Sequence, residues 1–122
     1  MIEPSCPVIV IHDDDAFRRK LIATLDARHF SVTFAADGDE GLALLKTRPF
    51  RVAVVAVDLQ SGRGLRALEF LRENRNDAVC GVIILGEPDP RIRTFAPWAD
   101  ETLLKPADAD YIATRARTYC NC

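Results

Sequence analysis

The positions of apolar residues along the chain predict alternating strands and helices. Continuous apolar runs rich in β-branched residues, typical of strands buried on both faces, occur at residues 7–11, 52–57 and 81–85. Shorter runs at 31–35 and 101–104 predict two further strands. Between the strands, apolar residues return every three or four positions, as in helices that bury one face. This repeated strand–helix order predicts a parallel sheet covered by helices on both sides.

Local signals mark where the helices begin and end. Acidic residues favour a helix start because they accept hydrogen bonds from its unpaired N–H groups. Such residues precede three predicted helices, at Asp13-Asp14-Asp15, at residues 37–40 and at Asp108 or Asp110. Another helix follows the loop Gly62-Arg63-Gly64 and runs from residue 65 to about 75. The segment 87–98 contains three prolines, so any helix there is short.

Length and composition narrow the class of protein. With 122 residues and 48% hydrophobic content, the chain suits a single domain, predicted at 1–122 with an ordered core of about 7–118. A net charge of -2 gives no pull toward nucleic acid or an anionic membrane. Neither a signal peptide nor a membrane span is visible, so we expect a cytoplasmic protein whose four cysteines are reduced. Whether the chain is a whole protein or one domain of a longer one stays open.

Candidate chemistry lies in the loops after three strands. His12, Asp13 and Asp14 follow the first strand, residues 56–62 follow the third, and Lys105-Pro106 follows the fifth. In parallel α/β sheets, function sits at the carboxyl ends of the strands. We therefore expect these acids and the lysine to meet in one pocket.

Four segments in this order and spacing resemble the receiver domain of bacterial response regulators. They are His12-Asp13-Asp14 leading to Phe17-Arg18, residues 36–42, residues 57–65, and residues 99–106. The likeness covers nearly the whole chain. It implies a flavodoxin-like, chemotaxis-Y-type three-layer sandwich with five parallel strands in the order 2-1-3-4-5. It also implies a role in two-component phosphorelay signalling.

The resemblance also implies a phosphorylation site, which this sequence retains only in part. In the family, an aspartate ending the third strand accepts a phosphoryl group, two acids after the first strand help to hold Mg²⁺, and a lysine pairs with the phosphoryl group. A Ser or Thr ending the fourth strand and an aromatic residue on the fifth report its presence. In this sequence the acceptor position is Ala56, the two acid positions are His12 and Asp13, and the lysine is Lys105. The Ser or Thr position is Gly86, and the aromatic position is Thr102.

These departures predict a degenerate pseudo-receiver, similar to the receiver of a gliding-motility regulator. Such a module is not an enzyme, has no catalytic residue and needs no cofactor, and Mg²⁺ binding through Asp13 and Asp14 is weak or absent. We expect it to bind a protein partner or a second copy of itself, and no nucleic acid, membrane or small-molecule substrate. Trp98, Thr102 and Pro106 are the candidate interface, although Trp98 also suits simple core packing.

Two alternative functions remain open. In the first, strand three ends two residues later and Asp58, which would face the same side as Ala56, is a displaced phosphoryl acceptor. In the second, the cysteines form a redox-sensing or metal-sensing module. Cys6, Cys80, Cys120 and Cys122 are all expected at the end of the sheet opposite the acidic pocket, where Cys120-Asn121-Cys122 suits a metal clip or a redox pair.

Two further hypotheses concern single residues. Lys105 is expected to pair with Asp13 and to lock the pocket in one state. His12 is either a plain strand-end residue or, beside Asp13 and Asp14, a proton switch near neutral pH.

Overall fold

The structure, a computed structural model, describes residues 5–74 and 79–120. Each of the five predicted strands is present, and each end lies within one residue of its predicted position. In chain order the elements are β1 (Cys6–Ile11), α1 (Asp15–Ala27), β2 (Phe30–Ala35), α2 (Gly38–Thr47), β3 (Val52–Val57), α3 (Leu65–Glu73), β4 (Gly81–Gly86), two 3-10 helices (Pro90–Thr94 and Ala96–Trp98), β5 (Glu101–Leu104) and α4 (Ala109–Arg117).

The strands form one parallel sheet in the order β2-β1-β3-β4-β5, which confirms the expected order. All residues of the central strands β3 and β4 are buried, and this explains their unbroken apolar sequences. The register places Ile11 opposite Val55, and Ala56 opposite Leu85. The carboxyl ends of these strands therefore meet at one edge of the sheet.

Alternate residues of the strands build two separate cores. On one face, Val10 packs in a cluster with Leu21 of α1 and Ile112 of α4. On the other face, Ile9 packs in a cluster with Leu68 of α3, beneath α2 and α3. Each fully buried aliphatic side chain of this kind contributes about 1.5–3 kcal/mol relative to an exposed one. The two cores hold the helices at fixed positions on both sides of the sheet.

Aspartates begin three of the helices, as the sequence predicts. Asp14 accepts a hydrogen bond from the N–H of Phe17, and Asp37 accepts one from the N–H of Glu40. At α4 the sequence leaves two candidates, and Asp108 is the one that caps the helix. These bonds satisfy N–H groups that have no partner within their own helix.

The segment between β4 and β5 contains only short helical turns. Pro90 and Pro97 lie in the first turns of the two 3-10 helices, where the missing N–H of proline costs nothing, but no long helix follows. The prediction of short helical structure here is confirmed. No helix in the described part of the chain has the length and apolar character needed to cross a membrane.

The expectation of four reduced cysteines is wrong. Cys6 and Cys120 form a disulfide with their Cα atoms 5.6 Å apart, and Cys80 is also disulfide-bonded. The pairing arises because the chain after α4 turns back onto the start of β1, which brings two residues 114 positions apart into bonding distance. Cys122 lies outside the described residues.

Candidate functional site

A cleft of about 1020 Å³ opens at the carboxyl ends of the strands. It brings together the predicted residues His12, Asp13, Asp14, Asp58, Lys105 and Pro106. Three other predicted pocket residues, Ala56, Gly86 and Thr102, do not line it. The remaining lining residues are Phe17, Leu59, Gln60, Leu85, Glu87, Pro88, Asp89 and Ala107.

His12 is the buried polar residue at the base of this cleft. Its side chain is 5% exposed, and its Nδ1 accepts a hydrogen bond of 2.9 Å from the N–H of Asp14. Its ring also lies 5.0 Å from the ring of Phe17. Burial, and then the positive charge of Lys105, lower the pKa of His12 below its ordinary value. These features favour a neutral strand-end histidine over a proton switch near neutral pH.

Asp13 forms an ion pair with Arg63, and not with Lys105 as the sequence analysis expected. The Arg63 guanidinium reaches Asp13 from the loop that precedes α3. Partial burial alone would raise the pKa of Asp13, but the hydrogen bond and charge of Arg63 lower it below its usual range. The carboxylate of Asp13 is therefore already neutralised by a cation of the chain itself.

Lys105 lies beside a different acid. Its Nζ is 3.6 Å from Oε1 of Glu87, and its backbone N–H donates to the carbonyl of Gly86. This backbone bond aligns the end of β5 with the end of β4, so the first acid beyond β4 is the one that Lys105 meets. The predicted contact between Lys105 and Asp13 is wrong for this reason.

Ala56 occupies the position that the receiver resemblance assigns to the phosphoryl acceptor. It lies one residue before the end of β3, opposite Leu85, and its side chain belongs to the core beneath α1 and α4. Its carbonyl is covered by Gly64, whose φ of +84° and close approach leave no room for a side chain. The end of β3 therefore presents a methyl group and no nucleophile.

Asp58 is the first carboxylate after Ala56 in the sequence, and it belongs to the turn after β3. Its Oδ1 accepts a hydrogen bond of 3.0 Å from the N–H of Gln60. This bond, followed by one from Ser61, lowers the pKa of Asp58. The backbone N–H of Asp58 donates to the carbonyl of Arg63, so the residue also closes the turn. Asp58 lines the cleft, but its carboxylate is hydrogen-bonded within its own turn.

Two other predicted positions lack the groups of a phosphate-responsive receiver. Gly86 ends β4, and a Cβ built there would lie 2.7 Å from Cδ1 of the buried Ile92. Thr102 lies on the edge strand β5 opposite Ile84 and is half-buried. Ile92 therefore fills the space into which a serine or threonine side chain at position 86 would project.

The candidate interface residues lie in different environments. Trp98 is half-buried, with its ring 5.0 Å from Phe95 and the Arg72 guanidinium 4.1 Å above it. These contacts favour the packing interpretation of Trp98. Pro106, in contrast, is exposed at the rim of the cleft.

Several residues with structural or electrostatic roles were missed by the sequence analysis. Arg63 and Glu87 carry the counter-charges of the cleft. Glu101 accepts hydrogen bonds from Arg115 of α4, at 2.7 and 2.9 Å to Nε, and from the hydroxyl of Tyr119 at 2.8 Å. Arg115 and Tyr119 are four residues apart, a spacing that places two side chains on one side of a helix, but the sequence contained no signal that they meet Glu101. Arg63 lies between two glycines, so the sequence around it gave no indication of where its side chain would point.

With this fold and cleft established, comparison with known proteins identifies the family. The family model for the response regulator receiver domain matches residues 8–117. The chain is 36% identical over 113 residues to the acid tolerance regulatory protein ActR of Rhizobium meliloti, and 32% identical over 108 residues to the photosynthetic apparatus regulatory protein RegA of Cereibacter sphaeroides. The chain belongs to the response regulator receiver domain family and is a receiver domain of two-component signalling.

The alignments cover most of this chain but only part of the relatives. They include 92% and 86% of this chain, and 58% of each relative. Among solved structures, the receiver domain of the Francisella response regulator 1452 matches with a TM-score of 0.81 and 25% identity, over 94% of this chain and 96% of its own. A CheY-like receiver from Methanospirillum hungatei JF-1, at 20% identity, shares the fold with a TM-score of 0.82, over 93% and 92% of the two chains.

The donor set in the cleft does not suit the Mg²⁺ ion that the family implies. Mg²⁺ prefers oxygen ligands in octahedral geometry. Here His12 is buried and turned to the Asp14 N–H, Ala56 offers no side-chain oxygen, and Asp13 is engaged by Arg63. Within residues 5–74 and 79–120, no three His, Cys, Asp or Glu side chains are arranged to hold a metal ion.

Proposed function

We propose that this receiver domain works without phosphorylation, as a module that binds a protein partner or a second copy of itself. The observation that carries the proposal is Ala56 at the end of β3, where the family resemblance requires an aspartate. No nucleophile stands at that point. The domain would transmit a signal by binding, and not by carrying a phosphoryl group. Its similarity to a gliding-motility regulator stays a prediction.

The charges of the cleft support the proposal. A working receiver needs acids that are free to bind a cation and a lysine that is free to meet a phosphoryl group. Here the Arg63 guanidinium already neutralises Asp13, and Glu87 lies beside Lys105. A metal ion would have to displace Arg63 before it could bind Asp13. We therefore expect weak Mg²⁺ binding or none.

The surface beside the cleft offers a place for a partner. Leu104 at the end of β5 is 51% exposed, and Tyr111 in the first turn of α4 is 53% exposed. Both lie close in sequence to Pro106 of the candidate interface. Since the relatives are longer than this chain, the partner could equally be another part of a longer polypeptide. Sedimentation velocity over a concentration series would reveal self-association.

The decisive experiment is intact-mass spectrometry after incubation with Mg²⁺ and acetyl phosphate. Wild type is compared with Asp58→Asn, and with Asp26→Asn as a matched control on the exposed surface of α1. Folded protein without a phosphoryl adduct is the expected result. An adduct that is lost in Asp58→Asn but kept in Asp26→Asn would overturn the proposal.

That contrary result would establish the second candidate function, a Mg²⁺-dependent phospho-receiver with a displaced acceptor. The observation in its favour is that Asp58 lines the same cleft as Asp13 and Lys105. To react, Asp58 would have to give up the N–H of Gln60, which now holds its carboxylate in the turn.

A further inference from the structure

We propose that the disulfide between Cys6 and Cys120 is a redox latch on the end of α4, opened by a small thiol that attacks Cys120. The bond joins the first residue of β1 to the turn that follows α4. It lies at the opposite end of the sheet from the cleft. The latch therefore does not depend on whether Asp58 accepts a phosphoryl group.

Several contacts besides the disulfide hold the turn after α4 against the sheet. Beside the disulfide, the ring of Tyr119 packs against Gly81, and its hydroxyl donates to Glu101. The Arg117 guanidinium lies 4.1 Å above the ring of Phe30, the residue paired with Cys6 across the sheet. Because these contacts do not involve the sulfur atoms, reduction is expected to loosen the end of α4 without unfolding the domain.

The two cysteine residues differ in their exposure to solvent, and from this difference we infer the direction of the reaction. Cys6 is 4% exposed within the core beneath α1 and α4, whereas Cys120 is half-buried at the surface. Thiol–disulfide exchange proceeds by attack of a thiolate on a sulfur atom that it can reach. The structure therefore favours Cys120 as the point of attack and Cys6 as the leaving thiolate.

The electron balance is that of ordinary disulfide reduction. A glutathione thiolate attacks Sγ of Cys120, the bond to Cys6 breaks, and the Cys6 thiolate takes up a proton. A second glutathione thiolate attacks the mixed disulfide and releases Cys120 as a thiol. The protein gains two electrons and two protons, and glutathione leaves as its disulfide. In the reducing cytoplasm expected from the sequence, protein disulfides are usually transient and redox-sensing.

Opening the latch would change the surface to which the proposed function assigns binding. The helix α4 packs against α1 and carries the exposed Tyr111, and the turn after it is joined to β1 through the Cys6–Cys120 bond. Releasing that end makes α4 less rigid while both cores keep their packing. This effect on binding rests on the proposed function, whereas the redox reaction itself does not.

The test follows thiol state and amide hydrogen exchange in the whole chain. Oxidised and glutathione-treated wild type are alkylated with N-ethylmaleimide, mapped by peptide mass and compared by hydrogen exchange. On reduction we expect both Cys6 and Cys120 to be alkylated and the amides of residues 112–120 to exchange at least about tenfold faster, with β3 unchanged. The double variant Cys6→Ala/Cys120→Ala, which keeps the disulfide of Cys80, should already show the faster exchange in oxidising buffer without glutathione.

Three results would each overturn the proposal. One is that Cys6 and Cys120 stay as thiols in an oxidising buffer. Another is that the bond resists glutathione until the protein is unfolded in urea, which defines a purely structural disulfide. The third is that exchange in residues 112–120 is the same in both redox states of wild type. The phosphoryl-adduct experiment measures none of these quantities, so failure of one proposal is distinguishable from failure of the other.

Discussion

Replacing Glu101 with glutamine tests whether this residue fastens α4 to the sheet. The Glu101 side chain is 15% exposed and accepts hydrogen bonds from two donor groups, the guanidinium of Arg115 and the hydroxyl of Tyr119. The substitution keeps the shape of the side chain but removes its negative charge. Any loss of stability therefore measures the charge-assisted part of these contacts.

The expected loss follows from the two donors. A hydrogen bond to a charged group contributes about 1.5–3 kcal/mol, against about 0.5–1.5 kcal/mol for a neutral one, so each donor loses about 1 kcal/mol. Arg115 is 37% exposed, so solvent screens its charge, and the expected loss is taken from the Tyr119 bond alone. We expect Glu101→Gln to lower the free energy of unfolding by about 1 kcal/mol. In a domain of this length that is a fall of about 4 °C in melting temperature.

The pH dependence of this effect has a definite sign. The hydrogen bonds and charge of Arg115, opposed by partial burial and supported by Tyr119, lower the pKa of Glu101 below its ordinary value of 4.5. A carboxyl group with a lowered pKa stabilises the fold above its unfolded-state pKa, and this contribution disappears as the pH falls through the folded-state pKa. The difference between wild type and Glu101→Gln should therefore be full at pH 6–7 and should shrink below about pH 4.5.

Urea unfolding followed by circular dichroism provides the measurement, with Glu69→Gln as the control. Glu69 lies on the exposed face of α3, so its substitution should leave the unfolding midpoint unchanged. Tyr119→Phe removes one donor and should cost about 1 kcal/mol, less in the Glu101→Gln background. If Glu101→Gln unfolds at the same urea concentration as Glu69→Gln at pH 7, the reasoning about this contact is refuted.

Three further predictions concern other parts of the molecule. Gly64→Ala should destabilise the domain by at least about 2 kcal/mol in urea unfolding, because φ is +84° and a methyl group would overlap the carbonyl of Ala56. Arg63→Ala should raise the pKa of Asp13 toward its ordinary value in an NMR titration, since its main counter-charge is lost. Cys6→Ala/Cys120→Ala should lower the free energy of unfolding by about 4–5 kcal/mol under oxidising conditions, because the bond closes a loop of about 114 residues.

Each of these has a control and a contrary outcome. Gly62→Ala should lower the free energy of unfolding less than Gly64→Ala does. Both glycines have a positive φ, but the space around Gly62 is open. Equal losses of stability in the two variants would refute the steric argument. Arg66→Ala should leave the pKa of Asp13 unchanged, and an unchanged value in Arg63→Ala as well would show that the ion pair does not form in solution. For the cysteines, wild type in reductant should lose at least as much stability as the double variant does.

The strands and their order could be predicted from the sequence because strong, redundant signals specify them. Val52–Val57 is apolar at each position, and burial on both faces of a parallel sheet leaves no other arrangement for such a run. The helix starts at Asp14 and Asp37 depend on contacts within four residues, so the sequence contains the whole signal. Local and tertiary requirements agree at these places.

The partners within the cleft could not be predicted because they depend on side-chain positions across the sheet. Lys105 and Asp13 flank the same opening, yet Glu87 and Arg63 lie closer to them, by distances that spacing in the sequence does not encode. Likewise, Cys6 and Cys120 meet only because the turn after α4 folds back onto β1. Both the ion pairs of the cleft and the disulfide depend on contacts between residues far apart in the chain.

The packing of Ile92 against Gly86 bears on how this domain could evolve. Under the proposed function, a lineage would regain phosphate sensing only by recovering several side chains, one of them a hydroxyl at position 86. Ile92 now fills the space such a side chain would need, so Ile92 must first shift or become smaller. Restoring a hydroxyl at position 86 therefore takes more than one change, and a phosphate-sensing pocket is correspondingly harder to recover.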